Sequence, residues 1–332
     1  MGEEDCMKKV VFFTDIAKLG ESLDHFPIEG FSGKKIPFKL NMGEIANRYY
    51  PKADFIKLVI EELKKRNVEP FLYDTTVAYF SPRYLKVGYE VVAKMHGYGM
   101  LECKVVVDNS GVNVSVEGCD YEVGENLYNA THIFAFSHVK GHIATGMSGA
   151  IKNLGMGGVT KKTKIRMHHA SNPIYQRDAC TFCGKCSEQC PVDAIKVSKS
   201  RWELSEGKCV GCGVCVENCD SEALINKDKD LQYFLACAAK ACIQDKNVIY
   251  VNDVNRISRS CDCDPFAGPL ICPDIGFLVS DDIVAVDKAS LDLVNVVRKD
   301  VFIETNKVDP VKQIKRGEMI GLGSPLYKLI SI

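Results

Sequence analysis

The chain has 332 residues, 46% of them apolar and 26% charged, which is the balance of a soluble globular protein with room for two or three domains. A formal net charge of −1 gives no global field for nucleic acid or an acidic membrane surface, and no uninterrupted apolar run approaches membrane-spanning length. The expected location is therefore cytoplasmic, with neither nucleic acid nor membrane as a partner.

The N-terminus, MGEEDCMKKVVFF, is acidic first and lacks the basic, apolar, small-residue order of a signal peptide. Cys6 stands where a myristoylation signal wants Ser or Thr. Lys8–Ile16 is a short apolar run and predicts a buried strand. Ala53–Asn67 carries Phe55, Ile56, Val59, Ile60 and Leu63 at helical spacing, and Glu69–Thr76 reads as a strand. Ser81–Gly97 predicts one helix, with Ser at the cap, Pro in the first turn and Gly at the end. Leu101–Asp108 and Ala130–Val139 read as strands, and Asp230–Asp245, Asn247–Val254 and Ser280–Val297 as helix, strand and capped helix. This rhythm predicts an α/β fold, a mostly parallel sheet with helices on both faces. Asp281, Asp282 and Asp287 surround the last helix start, where Asp is usually a cap. The densest basic stretch, Lys161, Lys162, Lys164 and Arg166, reads as a solvated face.

Between about residues 172 and 228 the rhythm stops, and cysteine, glycine and short loops dominate. The spacing Cys180-x2-Cys183-x2-Cys186-x3-Cys190 recurs as Cys209-x2-Cys212-x2-Cys215-x3-Cys219. Two-residue gaps let a turning loop aim three thiolates at one cluster, with the fourth supplied by the other repeat. Cys180, Cys183, Cys186 and Cys219 are then expected to hold one [4Fe-4S] cluster, and Cys209, Cys212, Cys215 and Cys190 a second. Gly184, Gly211 and Gly213 would give the backbone positive φ. The alternatives are a zinc site or a redox dithiol. The segment resembles the bacterial two-cluster ferredoxin domain. It departs from it at Asp220, where the first repeat has Pro191, and a carboxylate there is expected to make the two potentials unequal. The α/β pattern resumes afterwards. The expected organisation is thus a discontinuous host, 1–171 and 229–332, interrupted by a small α+β ferredoxin-like insert, 172–228. Three consecutive domains are the other arrangement.

Ser137–Gly158 follows a predicted strand, where open α/β sheets place their ligands. It carries the catalytic candidates His138, His142 and Lys152, and Lys140 besides. Its cofactor-binding candidates are Gly141, Gly146, Gly149 and Asn153, whose glycines would admit a ligand close to the backbone. His168 and His169 follow. Met147 stands where a phosphate-binding loop needs lysine, which excludes that motif. The late cysteines Cys261, Cys263 and Cys272 could hold a third cluster or a mononuclear metal completed by His or Asp, or be ordinary thiols. Cys103, Cys119, Cys237 and Cys242 read as core.

The run KGHIATGMSGAIKNLGMGG, the cysteine repeats and CDCDPFAGPLICPDIGFLVSDDIVAVDKASLDLVN together resemble the domain of unknown function 362 family, in its form carrying a ferredoxin insert. The resemblance implies an α/β host domain distantly similar to that of lactate racemase, which places histidines and a lysine around a nickel cofactor. That similarity is one of fold and does not transfer activity. The expected function is electron transfer through two [4Fe-4S] clusters to or from a ligand or metal site in the α/β domain, as an iron–sulfur oxidoreductase. Its partners would be a redox partner protein or low-potential electron carrier and a small-molecule ligand. A non-catalytic carrier or cluster-assembly partner, and a nonredox metal-dependent enzyme, are the alternatives. Sixteen cysteines point to a reducing cytoplasm, and exposed low-potential clusters to an anaerobe.

Overall fold

Short apolar and β-branched runs supply eight strands: β1 (Lys8–Phe13), β2 (Lys35–Lys39), β3 (Glu69–Thr75), β4 (Val105–Asp108), β5 (His132–His138), β6 (Asn247–Val254), β7 (Gly276–Ser280) and β8 (Tyr327–Ser331). In the computed structural model, which describes residues 7–332, they form one sheet in the order β8-β1-β7-β6-β5-β2-β3-β4. The N-terminal start and Cys6 lie outside the described residues. Strand β7 runs antiparallel to β1 and β6, and every other pairing in the sheet is parallel.

Side chains alternate across the sheet. On β5, Ile133 and Ala135 enter one core while Phe134 and Phe136 enter the other. On β6, Val248 and Tyr250 separate likewise from Ile249 and Val251. The helices Ala150–Gly157, Leu231–Ile243 and Ile283–Val297 cover the first face. Ala53–Lys65 and Lys86–Met95 cover the second. The fold is α/β, with a mostly parallel sheet and helices on both faces, as the sequence predicts. No helix among the described residues is long and apolar enough to cross a membrane.

The expected Ser81–Gly97 helix is two pieces. A single turn, Pro82–Tyr84, is followed by extended Leu85 (φ −108°, ψ 143°) and only then by the Lys86–Met95 helix. Ser81 caps the short turn, accepting from the Arg83 amide at 3.0 Å. The break turns Arg83 inward, where it is 1% exposed. Cys103 and Cys119, expected in the core, are only half-buried, whereas Cys237 and Cys242 are buried there.

Residues 172–228 form small sheets of their own. Pro173–Tyr175 pairs antiparallel with Leu224–Asn226, and Ile195–Val197 with Trp202–Leu204. The sequence repeat is also a backbone repeat. Gly184 (φ +84°) and Gly213 (φ +80°) each open a four-residue helix, Lys185–Glu188 and Val214–Glu217. Phe182 (φ +54°) matches Gly211 (φ +67°), and Asp193 (φ +49°) matches Glu222 (φ +55°). Three residues other than glycine thus hold a left-handed conformation at positions where both copies of the repeat adopt it.

Candidate functional site

Lys39, Asp74 and His138 lie at or near the carboxyl ends of β2, β3 and β5, and all three line a cavity of about 420 Å³. Its walls are built from buried ion pairs. Lys39 Nζ lies 3.1 Å from Asp74 and donates to Asn153 Oδ1 at 2.7 Å. Asn153 in turn donates to the Phe136 carbonyl and to Ser137 Oγ, both at 3.0 Å, which pins its helix to the end of β5. Lys140 Nζ lies 2.8 Å from Asp262, and His138 Nδ1 lies 3.0 Å from the same carboxylate. His138 Nε2 faces the Asn255 carbonyl at 2.9 Å. Both ring nitrogens of His138 are thus engaged by the protein's own acceptors. Lys140 and His138 hold the Asp262 carboxyl below its usual range, against the opposing effect of burial.

Below this wall His142, Cys261 and Cys263 converge, their ligating atoms all within 4.8 Å of one another. Lys152 Nζ lies 3.2 Å from Cys261 Sγ and 3.9 Å from Cys263 Sγ. The Cys263 thiol and, against burial, the Lys152 ammonium hold Cys261 well below the usual thiol range, so it is a thiolate. That thiolate and burial raise Cys263, which stays protonated. Lys152 is raised: burial alone would lower it, but the two cysteines outweigh that. Burial and the Lys152 charge push His142 down to about 3, so it is neutral. Its Nδ1 accepts from the Ala144 amide at 3.1 Å, which puts the ring proton on Nε2. Metal binding through Nε2 would require the other tautomer and give up that bond.

The eight cysteines of the repeat sort into two sets. Cys180, Cys183, Cys186 and Cys219 line one small cavity. Cys190, Cys209, Cys212 and Cys215 line the other. Each set takes three residues from one repeat and the last residue of the other. The second small cavity and the large one share Val210 in their walls. His168, which lines the large cavity, turns Nδ1 to the Val210 carbonyl at 3.0 Å.

The family described as domain of unknown function DUF362 matches residues 36–292, a span that contains both cysteine sets and every residue of the cavity wall. The chain belongs to the DUF362 family. No curated protein matches it. It is similar to the solved lactate racemase apoprotein from Thermoanaerobacterium thermosaccharolyticum, with 14% identity and a TM-score of 0.40 over 76% of this chain and 52% of that one. It is also similar to a Thermotoga maritima protein of known structure, with 11% identity and a TM-score of 0.40 over 71% and 50% of the two chains. The chain spans about half the length of either structure.

In this DUF362 protein the candidates from the sequence separate by position. His138, His142, Lys152 and Asn153 line the cavity. Gly141, Gly146 and Gly149 are not in its wall; they are packed against the protein's own chain. A Cβ at Gly141 would lie 2.0 Å from the Arg259 carbonyl, at Gly146 2.3 Å from that of Val308, and at Gly149 2.3 Å from Asp287. These glycines make room for neighbouring loops, and the ligand-cradle role expected of them has no geometry behind it. The helix start that follows is filled by Asp287, which accepts from Ala150 N at 2.6 Å and Ile151 N at 2.9 Å. Asp282, in contrast, caps its own helix through Val284 N and Ala285 N, both at 2.9 Å. Cys272 is buried among apolar side chains, apart from the group made by Cys261, Cys263 and His142.

Several cavity residues were not singled out by the sequence as site residues: Lys39, Asp74, Arg83, Asp262 and Lys164. Lys164 corrects an expectation, because the basic stretch read as a solvated face buries this lysine to 4% exposure. Asp262 had a signal, as the residue enclosed by Cys261 and Cys263. Lys39 had none, being a lysine at the end of an unrecognised strand.

Proposed function

We propose that this protein holds two [4Fe-4S] clusters in residues 172–228 and passes electrons between a redox partner and a ligand in the large cavity. The crossed sorting of eight cysteines into two sets of four carries this reading. The donor sets fit such a group. Phe182 N donates to Cys180 Sγ at 3.4 Å and Ala194 N to Cys190 Sγ at 3.3 Å, and amides so placed favour thiolate. Burial and neighbouring thiols push Cys212 up to about 11 and Cys215 to about 12, so these sulfurs lose their protons only to a bound cation. Bound clusters would supply one-electron steps at low potential.

The residues also suggest a direction along the protein. Cys183 is exposed, so the first set is the end that a partner protein could approach. The second set lies against Val210, and the Val210–His168 hydrogen bond joins it to the cavity wall. Fifteen free cysteines among the described residues fit a reducing cytoplasm, as in an anaerobe. The His142–Cys261–Cys263 group favours a second component, a mononuclear thiophilic metal. Lys152 then stands where it balances the Cys261 thiolate when no metal does. Domain boundaries at 172 and 228 follow from the same reading.

Iron and acid-labile sulfide analysis of anaerobically purified protein tests it. About eight of each per chain are expected, with about four lost in Cys186→Ala. Cys261→Ala should leave those counts unchanged while removing any additional metal. Tightly bound zinc without sulfide would refute the electron-transfer reading.

A further inference from the structure

Five cationic side chains line the large cavity. Three have a carboxylate partner, Lys39 with Asp74 at 3.1 Å, Arg83 with Glu44 at 3.2 Å and Lys140 with Asp262 at 2.8 Å, and Lys152 Nζ lies 3.2 Å from Cys261 Sγ. Lys164 has no carboxylate partner among the described residues. Its ammonium donates to Thr75 Oγ1 at 2.7 Å and to the Thr76 carbonyl at 2.6 Å, both uncharged. Asp74, on the same wall, is committed to Lys39, to the Tyr89 hydroxyl and to the Thr75 amide. Asp264 also lines the cavity, but on a half-exposed loop, where it accepts from Phe266 N. An ammonium has three N–H donors, so one is left over on a side chain that is 4% exposed. A buried charge without a counter-charge is costly, and a ligand that brings one gains that energy on binding.

We propose that Lys164 anchors the carboxylate of a small organic acid in this cavity. The proposal deepens the electron-transfer reading by naming its ligand class, and the binding step itself needs no electron. The wall decides between a carboxylate and a phosphate. A phosphate dianion wants a second free cation or a free helix N-terminus. Lys39, Arg83 and Lys140 are matched by carboxylates, Lys152 is turned to Cys261 and Cys263, and the nearby helix start is closed by Asp287. The remaining surface includes Val77, Ala78, Phe136, Ile143, Ala144 and Met156, which suits a short hydrocarbon body.

The anchor responds to pH. Burial lowers the Lys164 amine to about 7, with Lys39, Arg83 and Lys152 adding to the effect and Asp74 opposing it. His168 lies one turn further on the same helix and is itself lowered by burial. A bound carboxylate favours the ammonium, so binding above neutral pH takes up a proton.

Calorimetric titration of the anaerobically purified, cluster-loaded protein with sodium propionate, and separately with sodium phosphate, tests this from about pH 6 to about pH 9. Propionate is expected to bind more tightly than phosphate, its affinity falling about tenfold per pH unit above the amine's pKa. Buffers of different ionisation enthalpy should report uptake of about one proton at pH 8. Lys164→Met should weaken propionate at least tenfold. Lys164→Arg should retain binding but lose the pH dependence, since a guanidinium stays charged. Lys162→Ala, exposed on the same helix, should change nothing. Equal propionate binding in Lys164→Met, tighter phosphate than propionate, or no propionate binding would overturn the proposal. If Lys164→Met does not fold, the pH series on the native protein still decides. Iron measured on the same samples separates the two readings, because propionate bound by a protein without iron counts against electron transfer alone.

Discussion

Lys152 and Cys261 show how one cation fixes the state of a site. Lys152→Met removes an ammonium that helps hold Cys261 below the usual thiol range, so the Cys261 pKa should rise. Ultraviolet thiolate absorbance of the metal-free protein against pH measures it, and an unchanged titration would mean that the Cys263 hydrogen bond suffices. Asp287 works in the opposite sense. Its carboxyl is buried and raised to about 6, by burial against hydrogen bonds from Asn252, Ile151 and Ala150. The folded protein therefore holds a proton that the unfolded chain, with a carboxyl near 3.8, has already released. Stability should fall as pH rises from about 4 to about 6, by on the order of 3 kcal/mol, and then level off. Urea unfolding across that range should show the slope in the native protein and lose it in Asp287→Asn. At this scale the sequence was informative where residue type carries chemistry: His138, His142 and Lys152 line the cavity, whereas His169 does not. It misled where burial reverses habit. On the Lys161–Ala170 helix, Ile165 is 40% exposed while Lys164 is buried, so hydrophobic periodicity points to the wrong face.

Elements were legible where their pattern was local. Asn247–Val254 falls on β6 residue for residue, and Asp230 caps the Leu231–Ile243 helix by accepting from Tyr233 N at 2.8 Å. β2 escaped notice for a physical reason. Its sequence, KIPFK, contains proline, which argues against an interior strand. Pro37 is tolerated because it lies one residue before the ladder to β5 begins at Phe38. β7 was hidden between a loop and a helix cap, and it is the strand that reverses direction in the sheet. Helix packing also imposes a requirement that composition does not reveal. A Cβ at Gly155 would lie 2.2 Å from the Leu235 carbonyl on the facing helix. Gly155→Ala should therefore cost about 1–3 kcal/mol, because backbone must move. Gly118→Ala meets nothing within 4 Å but sits at φ +74°, so its cost is conformational and about 1 kcal/mol. Thermal denaturation of the two variants separates overpacking from backbone strain, and a harmless Gly155→Ala would mean that the helices are free to part.

Across the whole molecule, stability is unevenly distributed. The large sheet has a broad apolar core on each face, whereas the apolar cluster within residues 172–228 is built on Ile195, Cys215 and Leu224 beside Tyr175 and Trp202, with Ala194, Val214 and Ala223 the other buried apolar residues there. So small a core does not hold a fold without added constraint. Metal-free protein should therefore exchange amides rapidly throughout 172–228 while β5 and β6 stay protected, and restoring iron and sulfide should slow that exchange. A single cooperative loss of both regions would refute this division. The segment's entry strand, Pro173–Tyr175, pairs with its exit strand, Leu224–Asn226. The flanking helices Lys161–Ala170 and Leu231–Ile243 pack together across the gap. Chain order then sets the order of manufacture. β6, the neighbour of β5, and the Cys261–Cys263 loop are translated only after both cysteine repeats. β1 is made first and waits longest, since its neighbours in the sheet are β7 and β8. All eight repeat cysteines are thus made before Asp262 and Cys263 complete the cavity wall, so residues 172–228 can begin to fold while the cavity is still unfinished.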